Sequence, residues 1–141
     1  MSATHSPGAK AVAEVRARHA FFAEWFAGRS EEGRLDTAMT AFAADFRHVA
    51  PDGVERDRTQ LASLLETLRG SRPEAGFDIA VEFPRVVFES ADGAVVTYVE
   101  VQSRGDPPRR ISTAVFTVDA RAPHGVLWRH VQETRLAPEA G

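Results

Sequence analysis

AVVTYVEVQS (94–103), RRISTAVFTVD (109–119) and VLWRHVQETRL (126–136) are three runs of alternating side chains, broken by RGDPP at 104–108 and ARAPHG at 120–125. A period of two is the signature of a strand with two unlike faces. One face collects Val95, Thr97, Val99 and Val101, then Ile111, Thr113, Val115 and Thr117, then Leu127 and Val131, and is mostly β-branched. The other collects Tyr98, Glu100 and Gln102, then Arg110, Ser112, Ala114 and Phe116, then Trp128, His130, Gln132 and Thr134. Large rings and polar groups mix on this second face. In so small a chain only one face packs beneath helices. If it is the mixed one, its polar groups line a cavity, because burying Glu100 or Arg110 without a partner is costly.

Upstream, Phe77, Ile79, Val81 and Phe83 alternate with Asp78, Ala80 and Glu82, and Pro84 bends or interrupts the run before Val86, Val87 and Phe88. Asp92-Gly93 marks a hairpin. Earlier still the period lengthens. Val12, Val15, His19, Phe22 and Phe26 recur at three and four residues and predict a first helix ending near Gly28. Leu35, Ala38, Met39 and Phe42 form one side of a short second helix that stops before the strand-like FRHVA at 46–50. Asp57 with Gln60 three residues on predicts a capping box, Leu61, Leu64, Leu65 and Leu68 the buried side of a third helix, and Gly70 its end. Helices first and antiparallel strands last give an α+β chain.

The 141 residues, 43% hydrophobic and 26% charged, suit one domain, read as 9–137 after a Ser-, Pro- and Gly-bearing tail at 1–8. A net charge of −3 offers no general grip on nucleic acid, and zero cysteines exclude disulfides and thiolate chemistry. No stretch reads as a signal peptide or membrane span, so the expectation is a cytoplasmic protein binding neither nucleic acid nor membrane. Among seventeen basic residues only Lys10 is lysine, a bias of the whole chain that gives arginine clusters little weight by themselves.

Helix, helix, strand, helix and then a curled sheet resembles the nuclear transport factor 2-like superfamily, which includes SnoaL-like polyketide cyclases and ketosteroid isomerases. FAADFRHVAPDG at 42–53 is similar to its helix end, strand and Pro-Gly turn, and LWRHVQE at 127–133 to its last strand. The resemblance implies a cone-shaped, antiparallel or mixed sheet packed on three N-terminal helices, an open pocket and often a dimer. It does not carry over isomerase chemistry. The base position before the turn proline is Ala50, the first-helix tyrosine falls at Phe22 or Phe26, and the protonated aspartate falls at Ala114.

The candidate acid/base groups are therefore His130, whose strand face the resemblance turns toward the cavity, His48, on the face shared with Ala50, and Glu100 as their orienting carboxylate. Arg110, Tyr98, Ser112, Gln132, Trp128, Phe116, His19 and Phe22 are the expected substrate-binding set. For each the plainer alternative stands: a surface His48, a core His19, a structural Glu100–Arg110 pair. Arg110 and His130 on one face would favour an anionic or carbonyl-bearing ligand, unless Glu100 neutralises the arginine. His48, His130 and Glu100 lack metal-site spacing, and no metal or other cofactor is expected. The reading is a homodimeric small-molecule-binding protein with histidine acid/base chemistry of isomerase, cyclase or hydrolase type. The alternative is a non-catalytic ligand-binding or assembly module.

Overall fold

A computed structural model describes residues 5–103 and 109–137; the predicted loop at 104–108 and the tail residues 1–4 lie outside them. The elements run α1 (Pro7–Phe26), α2 (Arg34–Met39), β1 (Phe42–Val49), β2 (Glu55–Asp57), α3 (Arg58–Leu68), β3 (Ile79–Ser90), β4 (Gly93–Gln102), β5 (Arg109–Val118) and β6 (Val126–Arg135). One six-stranded sheet has the order β2-β1-β6-β5-β4-β3. It is mixed, because β1 runs parallel to β6 while the other neighbours are antiparallel. The helices cover one face, and the expected α+β cone is the fold observed.

Helix starts follow local chemistry. Ser6 accepts from the Ala9 N–H and Pro7 opens the first turn, so Pro7 and Gly8, read from sequence as tail, belong to α1. The Asp57–Gln60 capping box forms in both directions and starts α3. Thr40 and Ala41 close α2 with tight turns to Thr37 and Ala38. Phe42, expected on the second helix, is thereby released into β1 opposite Trp128. The Arg58 guanidinium donates to the carbonyls of Met39 and Phe42, tying α3 to that turn.

α1 and α3 are stitched at their ends. The Trp25 indole donates to the Leu65 carbonyl over 2.7 Å, while Gly70 and Arg72 N–H groups donate to the Trp25 and Phe26 carbonyls. Gly70 has a φ of 70°, as its place past the helix end predicts. The principal core lies between α1, α3 and the inner sheet face, with Val15, Trp25, Phe46, Val96, Ala114, Phe116 and Val126 almost wholly buried.

Bulges shape the sheet. In β3 the register against β4 slips at Phe83 and Pro84, and Phe83 takes a φ of 53° with 73% exposure. Pro84 thus bends the edge strand without ending it, and Phe83, aligned by alternation with Ile79, leaves the core side. In β6 the register against β5 slips between His130 and Trp128, leaving Arg129 as an extra residue. Beyond that point Val131 and Glu133 stand opposite Ala114 and Ser112, on the helix side. His130, Gln132 and Thr134 stand opposite Val115, Thr113 and Ile111, on the outer side.

The β3–β4 hairpin closes through Ala91 and Asp92, with Gly93 already paired to Ser90. A Cβ on Gly93 would fall inside the Phe116 carbonyl of the neighbouring strand, so glycine is needed there for close approach. Gly93→Ala is expected to cost about 1–3 kcal/mol of unfolding free energy. Urea denaturation checks this, and an unchanged midpoint would show that the strands separate there freely.

Candidate functional site

A cavity of about 300 Å³ opens between α1, α3 and the inner face of the sheet. Its apolar wall comes from Phe22 and Phe26 of α1, Phe42 and Phe46 of β1, and Leu61, Leu64, Leu65 and Leu68 of α3. The α3 leucines reach it because their spacing puts all four on one side of the helix. Ala50, Ile79, Trp128 and Val131 complete the apolar lining, and the polar lining is concentrated on the sheet.

That polar lining is a connected chain. The His48 Nε2–H donates to Glu133 Oε1 over 3.0 Å, and Arg110 donates to Glu133 Oε2 over 2.6 Å. Arg110 Nε stands 3.9 Å from Glu100 Oε2, to which the Gln102 amide donates over 2.9 Å. Glu100 Oε1 in turn accepts from His19 Nε2 over 3.0 Å, and His19 Nδ1 donates to the Val15 carbonyl over 2.8 Å. A carboxylate and a carbonyl only accept, so both His19 nitrogens carry hydrogen and the ring is an imidazolium.

Charge follows from this geometry. Burial works against a charged His19, but the Glu100 hydrogen bond and charge outweigh it, with the Val15 carbonyl and Glu133 adding to them, and its pKa is raised. Burial likewise opposes the Glu100 charge. His19, Gln102 and Arg110 prevail and hold the carboxyl at about 2. Tyr98, buried beside Glu100 and Glu133, is pushed well above the ordinary phenol value and stays a neutral hydroxyl. Its ring meets His19 edge-on at 5.1 Å.

His48 differs from His19. Its Nε2 is held by Glu133, while its Nδ1 is buried with no hydrogen-bond partner among the described residues. The arrangement fixes the tautomer and leaves one basic nitrogen uncommitted.

The cavity gathers His48, Glu100, Arg110, Tyr98, Trp128, His19 and Phe22 from the residues expected at the site. Ser112 and Phe116 share their face but are buried in the packing and do not line it. His130 and Gln132 are corrections: the extra residue Arg129 turns both to the outer face, and Glu133 and Val131 take the places assigned to them. With His130 outside, Arg110 faces Glu133 and Glu100 instead, so the expected cationic Arg110–His130 pair does not exist. Nor do His48, His130 and Glu100 converge, and no metal-ligating cluster occurs among the described residues.

Three cavity groups were not singled out from sequence: Glu133, Arg56 and Arg72. Glu133 had a signal in its spacing only if the bulge were known. A separate buried carboxylate, Glu14, was also missed. It accepts two hydrogen bonds from Arg18, one from the Trp128 indole over 2.8 Å, and lies 3.0 Å from His124 Nδ1. The signal was Trp128 itself, since a buried indole N–H needs an acceptor. Glu14 fixes the ring that floors the cavity without lining it.

No protein-family profile and no curated protein matches the chain. Among solved structures, an NTF2-like protein of unknown function from Pseudomonas aeruginosa is 35% identical, over 91% of this chain and 99% of that one, with a TM-score of 0.81. The CaMKII hub of S. rosetta is 17% identical over 95% of this chain and 98% of its own, at a TM-score of 0.67. An NTF2-like protein with a cystatin-like fold from Novosphingobium aromaticivorans is 16% identical over 92% and 84%, at 0.62. The last two show the fold alone. The cone of mixed strands on three helices and the 35% identity over nearly the full length of both chains make this chain a member of the NTF2-like superfamily.

Proposed function

We propose that this chain is a SnoaL-like small-molecule-binding protein whose cavity performs acid/base chemistry through His48. One observation carries the reading: a histidine lining an apolar cavity, oriented through Nε2 by Glu133, with a buried and unpartnered Nδ1. A nitrogen so placed takes a proton from a bound ligand and returns it at a neighbouring atom, the step shared by isomerases, cyclases and many hydrolases. Glu133 orients the His48 ring, and Arg110 holds Glu133 in place. Tyr98 lines the same cavity, where a neutral phenol faces a developing oxyanion. Ala50, Phe22 and Phe26 line the cavity at the isomerase positions, which argues against 3-oxo-steroid isomerisation.

The test is a thermal-shift screen of steroid-like, polyketide-like and small carboxylate compounds, followed by turnover of the hits. For a ligand that turns over, His48→Gln should lower kcat about 10²–10⁴-fold while the binding shift persists. Undiminished turnover would remove His48 from the chemistry.

A second observation favours association. The outer sheet face presents Phe88, Val95, Ile111, Val115 and Leu127, with Phe88 at 64% and Ile111 at 40% exposure, while Val99 on the same face is nearly covered. Val131, first assigned to this face, points inward. An apolar sheet surface of this kind fits a second copy of the chain, in keeping with the likeness to a hub. Val115→Asp should convert a dimer to monomer in sedimentation velocity. A wild type that stays monomeric at micromolar concentration would end this reading.

The His19–Glu100 pair sets a pH window. Glu100 ionises at about 2 when folded against 4.5 ordinarily, so its contribution is complete above about 4.5 and lost as pH falls toward 2. His19 titrates above its ordinary 6.5, so its contribution is complete below that value and lost as pH rises through the raised one. Stability attributable to the pair should peak between these limits. Urea midpoints measured across pH should fall on the alkaline side in the wild type, and His19→Gln should flatten that limb. An identical slope in both proteins would dissociate His19 from it.

A further inference from the structure

The cavity is more cationic than the chain that builds it. Its floor balances: Glu100 faces the His19 imidazolium and Arg110, and Glu133 faces Arg110 and His48. Two further arginines, Arg56 and Arg72, line the same cavity with no equivalent counter-charge. Arg56 lies on β2 opposite His48 in register. The acids beside it are engaged elsewhere, since Glu55 stands 3.9 Å from Arg47 and Asp57 caps α3. Among the described residues Arg56 has no hydrogen bond or ion pair. Arg72 follows α3, placed by its backbone bond to the Phe26 carbonyl and by its guanidinium 5.1 Å from the Phe77 ring. Its Nε is buried without a hydrogen-bond partner, and the nearest carboxylate, the half-exposed Glu74, is 3.8 Å away. A protein with a net charge of −3 thus turns toward an aliphatic and aromatic cavity one guanidinium with no counter-charge among the described residues, Arg56, and one loosely paired with Glu74, Arg72.

From this we infer that the site selects amphipathic anions: an apolar body against the α3 leucines and α1 phenylalanines, and a carboxylate held by Arg56. The proposal rests on the cavity reading above and names its ligand class. Arg110, the arginine that sequence alone favoured for this task, is already spent on Glu133 and Glu100, and Arg72, beyond the far end of α3, stands beside Glu74, which leaves the anion to Arg56. Guanidinium groups suit a carboxylate because their planar donors match its two oxygens, and flanking apolar walls strengthen the contact by excluding water. The carboxylate marks one end of the ligand. Because Arg56 stands across from His48, the ligand's reacting carbons lie next to that end.

The test compares octanoate, 1-octanol and octylamine by calorimetric titration of the wild type, Arg56→Gln, Arg72→Gln and the double variant. The wild type should prefer octanoate to octanol by about tenfold or more, since a hydrogen bond to a charged group is stronger than one to a neutral hydroxyl. Octylamine should bind weakest. Arg56→Gln should abolish the preference, alone or in the double variant, and Arg72→Gln should leave it, with octanol affinity unchanged as the sign of an intact cavity. Equal binding of octanoate and octanol by the wild type, or a preference surviving in the double variant, would overturn the inference and leave the cavity reading standing. Failure of all three compounds to bind would overturn both.

Discussion

A strand's side chains alternate with a period of two, so one inserted residue exchanges its faces from that point on. In β6 the inserted residue is Arg129, whose guanidinium is held by Asp45 over 2.6 Å. β1 loses its register with β6 at the same level, between Phe42 and Arg47. Two adjacent strands therefore break step together, and the sheet bends there around α1 and α3. Before the bulge β6 sends Val126 and Trp128 inward, and Trp128 meets the buried Glu14. After it β6 sends Val131 and Glu133 inward, and Glu133 meets His48 and Arg110. Without the extra residue the cavity would lose its second carboxylate, and His48 would lose the partner that orients it.

Once two carboxylates, an arginine and two histidines share a poorly solvated face, electrostatics leaves little freedom. Unpaired burial of any one charge is far more costly than an imperfect pair. The outcome is a chain in which each carboxylate bridges two donors: His48, Glu133, Arg110, Glu100 and His19 in sequence. His19 ends the chain with both nitrogens committed. His48 ends it with one nitrogen unpartnered among the described residues, the asymmetry on which its proposed role rests. The same arithmetic exhausts Arg110, so the anion inferred for the cavity falls to Arg56, outside the chain.

Much of this was legible because it depends on local rules. Alternation placed Tyr98, Glu100 and Arg110 on the helix side, since β4 and β5 stay in register with each other throughout. The Asp57–Gln60 spacing fixed the start of α3, and its leucines fixed the cavity wall. His48 and His19 were placed by strand parity and helical period. What failed was parity in β6, where no glycine or proline advertises the bulge and Trp128, Arg129 and His130 read as an ordinary strand. β2 was not foreseen, being three residues paired to β1 rather than a patterned run. Glu14 and Arg18 lay hidden because a charged pair at i and i+4 normally reads as solvated helix surface. Here the buried stripe of α1 is wide enough to take both in.

The sheet also separates two roles by the same alternation. Odd positions of β4 and β5 face outward, where Val95, Ile111 and Val115 offer an apolar surface; even positions, Tyr98, Glu100 and Arg110, face the cavity. The two proposed roles, binding inside and association outside, thus draw on the same strands without competing for side chains. The bulge adds one consequence. It moves His130 into the outer row formed by Phe88, Val95, Val115 and Arg47, so the histidine that sequence placed at the site stands on the far side of the sheet from the cavity, and Glu133 takes the inward place beside His48.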